Sequence, residues 1–309
     1  MIFDKSCLGE RTALPHQSQE FRLRRLLTAA FSLVVIPSAL VALPVVSTPA
    51  AAPHPVAPST VHVSVALPAG LTTAAAAGVN TLNSALRALT PAAGGAIAPS
   101  PPQDTANFRA AGLSWLHDSK ITSLKALVRV RNNGQWGPWQ EIENTDIGAD
   151  NGRDVGLSPV RDGTDPLWVD HANGVQVQLE SVTGGLPRDL RLDLVDPGTS
   201  AADSAPSGSS PLSSAAVARA DTTQPAIFTR ADWGADESLR LNACPNGPGS
   251  AGAIKVAFVH HTVTGNSYNP GDVPAIIRSI YAFHVQSEGW CDVGYNFLVD
   301  KFGRIWEGR

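Results

Sequence analysis

The chain has little cysteine and little charge. Three of its 309 residues are cysteine, and 16% are charged. So few cysteines exclude a scaffold held together by several disulfides, and none has the CxxC partner of a structural zinc site. The formal net charge is −4, and no basic run follows the first 25 residues. This balance argues against nucleic acid as a partner.

The length allows two domains, and apolar residues, 43% of the total, suffice for a core. Two stretches nevertheless have few core-forming residues. Residues 51–105 are mostly Ala, Pro, Thr and Ser, and residues 198–225 are rich in Ser, Ala, Gly and Pro. Both are predicted to be flexible linkers. Within the first, residues 61–66 alternate valine with other residues, which favours a strand that joins the next domain.

Residues 1–50 have the features of an export signal. Arg24 and Arg25 precede an apolar stretch from Leu26 to Val46, and small residues suited to signal peptidase follow. A cleaved signal predicts a secreted or cell-wall protein. The alternative is an uncleaved membrane anchor, since the stretch approaches the ~20 residues that span a bilayer. That segment would be the protein's only contact with a membrane.

Export also bears on the cysteines. Cys7 lies in the segment that signal peptidase would remove, which leaves Cys244 and Cys291. In an oxidising compartment such a pair is most simply a disulfide. The alternative is two buried free thiols.

Residues 106–197 show the period-two alternation of half-buried strands. The pattern occurs in "ALVRVR", "VQVQLE" and "LRLDLV", with no helical stretch between them. This predicts an antiparallel, β-sandwich-like domain. In the same segment Trp136 and Trp139 flank a Gly-Pro break. They are interpreted either as a sugar-stacking platform or as core residues near a hairpin.

Residues 226–309 mix strand and helix patterns. The stretch from Ala253 to Val259 is nearly continuously apolar, as in a central strand covered on both faces, and it runs directly into His260 and His261. Neighbouring strand residues point to opposite faces, so at most one of these histidines enters a given site. Without further context, a single histidine here is more often a core residue than a ligand.

A helix and a hairpin are predicted next. Asp272 is a candidate helix cap, and Pro274 is tolerated in the first turn. Apolar residues then recur at helical spacing up to His284, which is interpreted as a packed residue rather than a ligand. A strand from about Tyr295 and a second from Arg304 complete an α/β arrangement.

Four motifs together carry a resemblance. "FTRADWGA", "VAFVHHTVTGN", "IYAFHVQSEGWCDVGYNFLVD" and "GRIWEGR" occur in this order between about Phe228 and Arg309. The segment resembles the family of peptidoglycan recognition proteins and zinc-dependent N-acetylmuramoyl-L-alanine amidases, in the form found in exported actinobacterial proteins. The upstream β-rich segment resembles the accessory domain of such proteins.

The resemblance implies a reaction and roles for particular residues. His260 would be a Zn²⁺ ligand and Tyr295 a catalytic residue beside the metal, while His261 and Thr262 would line the substrate groove. Zinc with an open position polarises a carbonyl and lowers the pKa of its bound water to about 7. The bond cut would be the amide between N-acetylmuramic acid and L-alanine in peptidoglycan. A tyrosine at the end of a strand with its hydroxyl at the surface is the alternative for Tyr295.

The resemblance also implies a substrate preference. In the family, a Gly-Trp pair and the arginine of the EGR element favour stem peptides with meso-diaminopimelate, which here points to Gly289, Trp290 and Arg309. A guanidinium suits the extra carboxylate of that residue. The alternative is that Trp290 is a packing residue and Arg309 a solvated strand end.

The sequence departs from the family in one respect. The family's other zinc ligands follow the EGR element, and this sequence stops at Arg309. The resemblance therefore implies that residues 226–309 are the N-terminal half of an α/β amidase domain, a mixed sheet with flanking helices, inactive alone and with apolar surface left open. Two alternatives are a non-catalytic peptidoglycan recognition protein and a protein whose working part is the β-rich segment.

Overall fold

A computed structural model describes residues 55–65, 100–144, 161–183, 186–203, 225–244, 257–262 and 264–309. The export signal predicted at 1–50 and most of both predicted linkers lie outside these residues. The strands are β1 Ser59–Ser64, β2 Gln103–Leu116, β3 Ser123–Asn132, β4 Gln135–Trp136, β5 Gln140–Glu143, β6 Arg161–Gly163, β7 Leu167–Thr183, β8 Arg191–Asp196, β9 Ile227–Phe228, β10 Phe297–Val299 and β11 Ile305–Glu307. The α-helices are α1 Glu237–Ala243 and α2 Val273–Ala282.

Strands β1 to β8 form one antiparallel sheet. Its order is β1-β8-β2-β7-β3-β4, with β5 paired to β3 and β6 paired to β2. The predicted antiparallel architecture is therefore confirmed. Along β3, buried residues alternate with half-exposed ones from Leu124 to Val130, as the period-two pattern indicates. The buried side chains form one core with those of β2, β7 and β8.

The sheet begins earlier than the composition suggests. The strand predicted at residues 61–66 is β1, which covers Ser59–Ser64 and pairs with β8, with Val61 opposite Leu194. Strand β2 starts at Gln103, within the stretch interpreted as linker. The first five residues of β2 are mostly exposed, so this part of the strand carries no apolar pattern.

The C-terminal segment forms a second, three-stranded sheet and two helices. The sheet order is β10-β11-β9, with β10 and β11 antiparallel and β11 and β9 parallel. Helix α2 follows a short 3-10 turn in which the carboxylate of Asp272 accepts a hydrogen bond from the backbone of Asn269 at 2.7 Å. A π-helical turn, Phe283–Ser287, extends α2, and Gly289, with φ of 79°, ends it.

Helix α2 is buried on every side. The sequence predicts one buried face, whereas all ten residues of α2 are buried. Its second face packs against the antiparallel sheet, where Ala110, Trp168 and Val195 join the same apolar cluster as the helix. The polar residues on this face, which suggest exposure to solvent, are either small or hydrogen-bonded within the protein. Ser279 donates to the carbonyl of Ala275, and Arg278 donates to three backbone carbonyls and to Asp203.

The strand predicted before His260 is not observed where it can be described. Residues 253–256 lie outside the described residues, and residues 257–262 have no regular secondary structure. Phe258 and Val259 are 86% and 103% exposed. Within the described part of the chain no strand hydrogen-bonds to this segment, and an unpaired strand has no ladder to stabilise it. Phe297 and Val299 on β10 are also exposed, which leaves apolar surface on the small sheet.

Cys244 and Cys291 are joined by a disulfide, with Cα atoms 5.3 Å apart. Cys244 directly follows α1, and Cys291 follows the turn that ends α2. The bond therefore ties the short helix α1 to the residues that lead into β10. Among the described residues, no helix has the length and apolarity needed to cross a membrane.

Candidate functional site

Four aromatic side chains from separate parts of the C-terminal segment lie together, and we call them the His-Tyr cluster: His260, His284, Trp290 and Tyr295. The ring of His260 lies 6.5 Å from that of Tyr295, with the two planes inclined by 25°. The ring of His284 lies 5.7 Å from Tyr295 and stacks on Trp290 at 4.5 Å. Tyr295 thus stands between one imidazole at the surface and one in the interior.

His260 and His261 point in different directions. Their rings are nearly perpendicular, at 77°, and His261 is exposed while His260 is half-buried. The Nδ1 atom of His260 is buried and has no hydrogen-bond partner among the described residues. The hydroxyl of Thr262 pairs with that of Thr264 at 2.6 Å. Of the two histidines, the structure brings only His260 to Tyr295.

Tyr295 keeps its phenolic proton over the whole neutral range. Burial raises its pKa above the usual value, and a negative charge on Asp165 raises it further. A neutral phenol can donate a hydrogen bond to an oxygen on which negative charge develops. Its backbone carbonyl accepts from the amide of Arg309 at 3.0 Å. The backbone of Arg309 therefore lies beside that of Tyr295, and Arg309 is half-exposed.

His284 is a packed residue, as the helical pattern predicts. It is 2% exposed, and its Nδ1 accepts a hydrogen bond from the amide of Gly294 at 3.0 Å. The proton of the neutral ring is therefore on Nε2. Burial lowers the pKa of His284 to about 3, so the ring is uncharged at neutral pH.

Glu288 is a buried carboxyl group that no sequence motif marks. It is 1% exposed, and Oε2 lies 4.0 Å from Nε2 of His284. Within the part of the chain that the structure describes, neither carboxyl oxygen has a hydrogen-bond partner. Burial raises its pKa well above the usual value, and Asp165, Asp162 and Asp193 add to the effect. A lone glutamate at a helix end normally faces solvent, so the sequence carries no signal for this burial.

Gly289 and Trp290 are both buried. Trp290 is 5% exposed, and its ring packs on His284 and against the backbone of Gly294. A Cβ atom on Gly294 would come within 2.5 Å of that ring, which explains the glycine in this motif. Trp290 thus supports the cluster from the interior.

The described residues do not complete a zinc site. A catalytic zinc needs about three protein ligands. His260, with its unpaired Nδ1, suits one of them, but His284 uses Nδ1 to accept from Gly294. Across the described residues, no three His, Cys, Asp or Glu side chains come together in a way that would hold a metal ion.

Comparisons with known proteins match two parts of the chain. The family described as Rv3811 N-terminal galactose-binding domain-like matches residues 47–223, more than half of the chain. Peptidoglycan-recognition protein SC1a/b of Drosophila simulans is 31% identical over 83 residues, which are 27% of this chain and 42% of that protein.

Two further relatives have similar names. Peptidoglycan-recognition protein LE of Drosophila melanogaster is 36% identical over 88 residues, covering 27% of this chain and 23% of that protein. Peptidoglycan recognition protein 1 of Bos taurus is 32% identical over 83 residues, covering 27% and 40%. The chain thus spans less than half the length of these relatives. No solved structure matches.

Proposed function

The chain belongs to the Rv3811 N-terminal galactose-binding domain-like family, and we propose that residues 226–309 add peptidoglycan recognition to that domain. The similarity to proteins named for peptidoglycan recognition supports the proposal. Export to the cell wall is the matching location, proposed from the apolar stretch between Leu26 and Val46.

The observation that carries the proposal is the pairing of His260 with Tyr295. A half-buried imidazole with an unpaired, buried Nδ1 costs free energy unless a ligand or solvent satisfies it. Tyr295 beside it offers a phenol that stays protonated, and therefore a hydrogen-bond donor. Together they form a small polar site, and a few placed polar groups of this kind are what orient a small ligand in a binding site.

Arg309 gives the proposed site a preference among stem peptides. Its amide donates to the backbone carbonyl of Tyr295 at 3.0 Å, so the two residues are neighbours, and Arg309 is half-exposed. We propose that Arg309 pairs with the extra carboxylate of meso-diaminopimelate, with bidentate geometry. Gly289 and Trp290 act from within, because the turn at Gly289 places the Trp290 ring under His284 and hence under Tyr295.

A second candidate function is hydrolysis of the amide bond between N-acetylmuramic acid and L-alanine. The unpaired Nδ1 of His260 favours it, because a neutral imidazole nitrogen is a common zinc ligand. Zinc, when bound, would polarise the amide carbonyl and activate water. Tyr295 would donate a hydrogen bond to the carbonyl oxygen as charge develops on it. The described residues supply only the His260 ligand, so no further step is assigned.

The binding proposal is tested by co-sedimentation of the full chain with insoluble diaminopimelate-type peptidoglycan. We expect Tyr295→Ala and Arg309→Ala to weaken binding ~10-fold, as for residues at the centre of an interface. His171→Ala is the control, since this histidine is exposed on β7. Wild-type protein that fails to sediment, or binding that survives Tyr295→Ala unchanged, would overturn the proposal.

The hydrolysis proposal needs a separate readout. New L-alanine amino groups are quantified after incubation of the full chain with peptidoglycan and Zn²⁺, with and without a chelator. We expect release that requires zinc and that falls ~10²-fold in Tyr295→Phe. Binding without release would leave recognition as the function, and release unaffected by the chelator would exclude zinc chemistry.

A further inference from the structure

The outer face of strand β3 carries a cation between two tryptophans. The core side of β3 is filled by Leu124, Ala126 and Val128, so the alternate residues point away from the core. On that outer side the guanidinium of Arg129 lies 5.1 Å from the ring centre of Trp136 and 4.6 Å from that of Trp139. We call Arg129, Trp136 and Trp139 the Trp-Arg-Trp face.

Both tryptophans remain half-exposed at the surface. Of the two sequence-based interpretations, core residues or a stacking platform, the structure disfavours the first, because both tryptophans lie outside the core cluster of the sheet. Large aromatic side chains left partly open to solvent cost free energy, and they are typical of binding surfaces.

Backbone hydrogen bonds hold the tryptophans in place. Trp136 is paired with Arg131 across the β3–β4 hairpin, whose turn contains Asn133 and Gly134, with φ of 49° and 77°. The amide of Gly137 then donates to the carbonyl of Val130 at 2.9 Å, which brings the following residues back over β3. The face is therefore preorganised, so a ligand would not have to order it.

Arg129 differs from its neighbouring cations in its partners. Lys125 pairs with Glu141 at 2.6 Å, and Arg131 pairs with Asp104 at 2.6 Å. Arg129 instead donates from Nε to the neutral Oε1 of Gln176 at 2.7 Å. Among the described residues it has no carboxylate partner. With Nε fixed in this way, both terminal nitrogens keep their hydrogen-bond donors for a ligand.

The Gln176 contact also fixes the orientation of Arg129. Gln176 lies opposite Arg129 on β7 and is buried, and its side-chain amide donates to the carbonyl of Ser100 at 2.8 Å. The oxygen of this amide therefore cannot turn away from Arg129 without losing a buried hydrogen bond. A cation held in one orientation between two flat rings matches a flat ligand that carries an anionic group.

We propose that the Trp-Arg-Trp face binds a glycan that bears carboxylate groups, namely the peptide-free glycan strand of peptidoglycan. The C–H faces of pyranose rings pack on tryptophan, and a guanidinium binds a carboxylate with two parallel hydrogen bonds. Removal of a stem peptide breaks the C–N bond of the lactyl amide. Water supplies a hydroxyl to the carbonyl carbon and a proton to the amine, and the new acid ionises.

The ligand therefore gains one carboxylate for each muramic acid that has lost its peptide. These acidic sugars alternate with neutral N-acetylglucosamine units. The inference rests on the proposed function in one respect, since it takes peptidoglycan to be the polymer that this protein meets. It assigns to the β-rich part a separate contact with the sugar chain, whereas the His-Tyr cluster would contact the stem peptide.

The test is a calorimetric titration of the full chain with two soluble probes. One is a peptide-free oligosaccharide of alternating N-acetylglucosamine and N-acetylmuramic acid, and the other is chitotetraose, an uncharged N-acetylglucosamine chain of the same length. We expect the carboxylated probe to bind ~10-fold more tightly, the value of one charge-assisted hydrogen-bond pair. Equal affinity for both probes would overturn the role of the carboxylate.

Variants separate stacking from charge. We expect Trp139→Ala to weaken both probes and Arg129→Gln to weaken only the carboxylated one, each ~10-fold. Arg129→Lys keeps the charge and loses the forked geometry, so its affinity for the carboxylated probe should lie between those of wild type and Arg129→Gln. Lys125→Gln is the matched control, because it removes a paired cation from the same strand. If Lys125→Gln lost as much affinity for the carboxylated probe as Arg129→Gln, the effect would be one of general charge and the assignment would be wrong. Wild-type affinity in a folded Trp139→Ala variant would also contradict it.

Tyr295→Ala distinguishes this inference from the proposed function. It should leave the titration with the peptide-free oligosaccharide unchanged while it weakens binding to intact peptidoglycan. If instead Tyr295→Ala abolished oligosaccharide binding and Arg129→Gln did not, the sugar chain would bind at the His-Tyr cluster and the inference would be wrong. Thermal unfolding of each variant by circular dichroism shows whether it is folded.

Discussion

The ring of Phe283 lies directly on the backbone of Gly112. A Cβ atom on this glycine would come within 2.5 Å of Cε2 of the ring and within 3.3 Å of Oγ1 of Thr164. Gly112 belongs to β2 in the large sheet, and Phe283 begins the turn that follows helix α2. The two parts of the chain that the sequence separates by a linker are thus packed together at the level of the backbone.

Gly112→Ala should therefore destabilise the protein by ~1–3 kcal/mol, because the buried ring of Phe283 has no space into which it can move. The free energy of unfolding from urea titration measures the effect. Gly265→Ala is the control, since nothing lies within 4 Å of the Cβ position there. A stability of Gly112→Ala equal to that of the control would mean that the sheet and α2 separate easily.

A buried arginine contributes to the same interface. Arg278 on α2 is completely buried, and it donates to the carbonyls of Pro197, Gly198 and Trp233 and to both carboxylate oxygens of Asp203. Burial lowers its pKa, which the negative charge of Asp203 partly offsets. The residues just after β8 are thereby attached to the helix.

Arg278→Met should cost about 3–5 kcal/mol of unfolding free energy, because it leaves the Asp203 carboxylate and three carbonyls without their donor. Arg191→Met provides the comparison: this half-exposed arginine pairs with Asp189, so its loss should cost less than about 1 kcal/mol. If Arg278→Met and Arg191→Met unfolded at the same urea concentration, the buried network would have no net effect on stability.

Periodicity predicts the elements of this fold better than it predicts their partners. The alternation in β3 and the helical spacing of α2 both depend on local sequence, and both elements are observed. The second buried face of α2 depends on the approach of the large sheet. The sequence predicts Arg278 at the surface, because the backbone carbonyls that accept its hydrogen bonds cannot be recognised from the sequence.

The same limit applies to the site. A histidine pair and a tyrosine can be found as motifs, and the structure brings His260 and Tyr295 together. Their roles stay predictions. The apolar run before His260 indicates a buried strand, but strand formation requires a neighbouring strand, and none is paired with residues 257–262 among the described residues. The burial of Glu288 could not be predicted from the sequence, because residues from β6 and β8 as well as α2 surround it.

The disulfide between Cys244 and Cys291 should contribute about 2–4 kcal/mol to stability, as expected for a bond that closes a loop of this size. Urea titration of the wild-type chain with and without dithiothreitol measures the contribution. Replacing both cysteines by alanine should lower stability by a comparable amount and make it insensitive to dithiothreitol. A wild-type curve that did not shift on reduction would show that the bond is not formed in solution.

Stability should also depend on pH through two buried groups that face each other. The pKa of Glu288 is raised, so the folded state holds a proton that the unfolded chain releases above pH ~4.5. Its stabilising contribution is present at lower pH and is lost as the pH rises toward the folded pKa. The pKa of His284 is lowered to about 3, so stability is lost as the pH falls below ~6.5. The groups facing Glu288 are His284, Asp162, Asp165 and Asp193.

Glu288→Gln separates the two effects, because it keeps the shape and cannot ionise. We expect this variant to be more stable than wild type at pH 8 and to lose the decline between pH 5 and pH 8, while the loss below pH 6.5 persists through His284. Glu237→Gln, at a half-exposed position on α1, should leave the decline at high pH unchanged. Unfolding free energies at intervals of one pH unit decide the matter. A wild-type and a Glu288→Gln curve that run parallel from pH 5 to pH 8 would mean that Glu288 ionises in the folded protein as readily as in the unfolded chain, which would contradict the prediction.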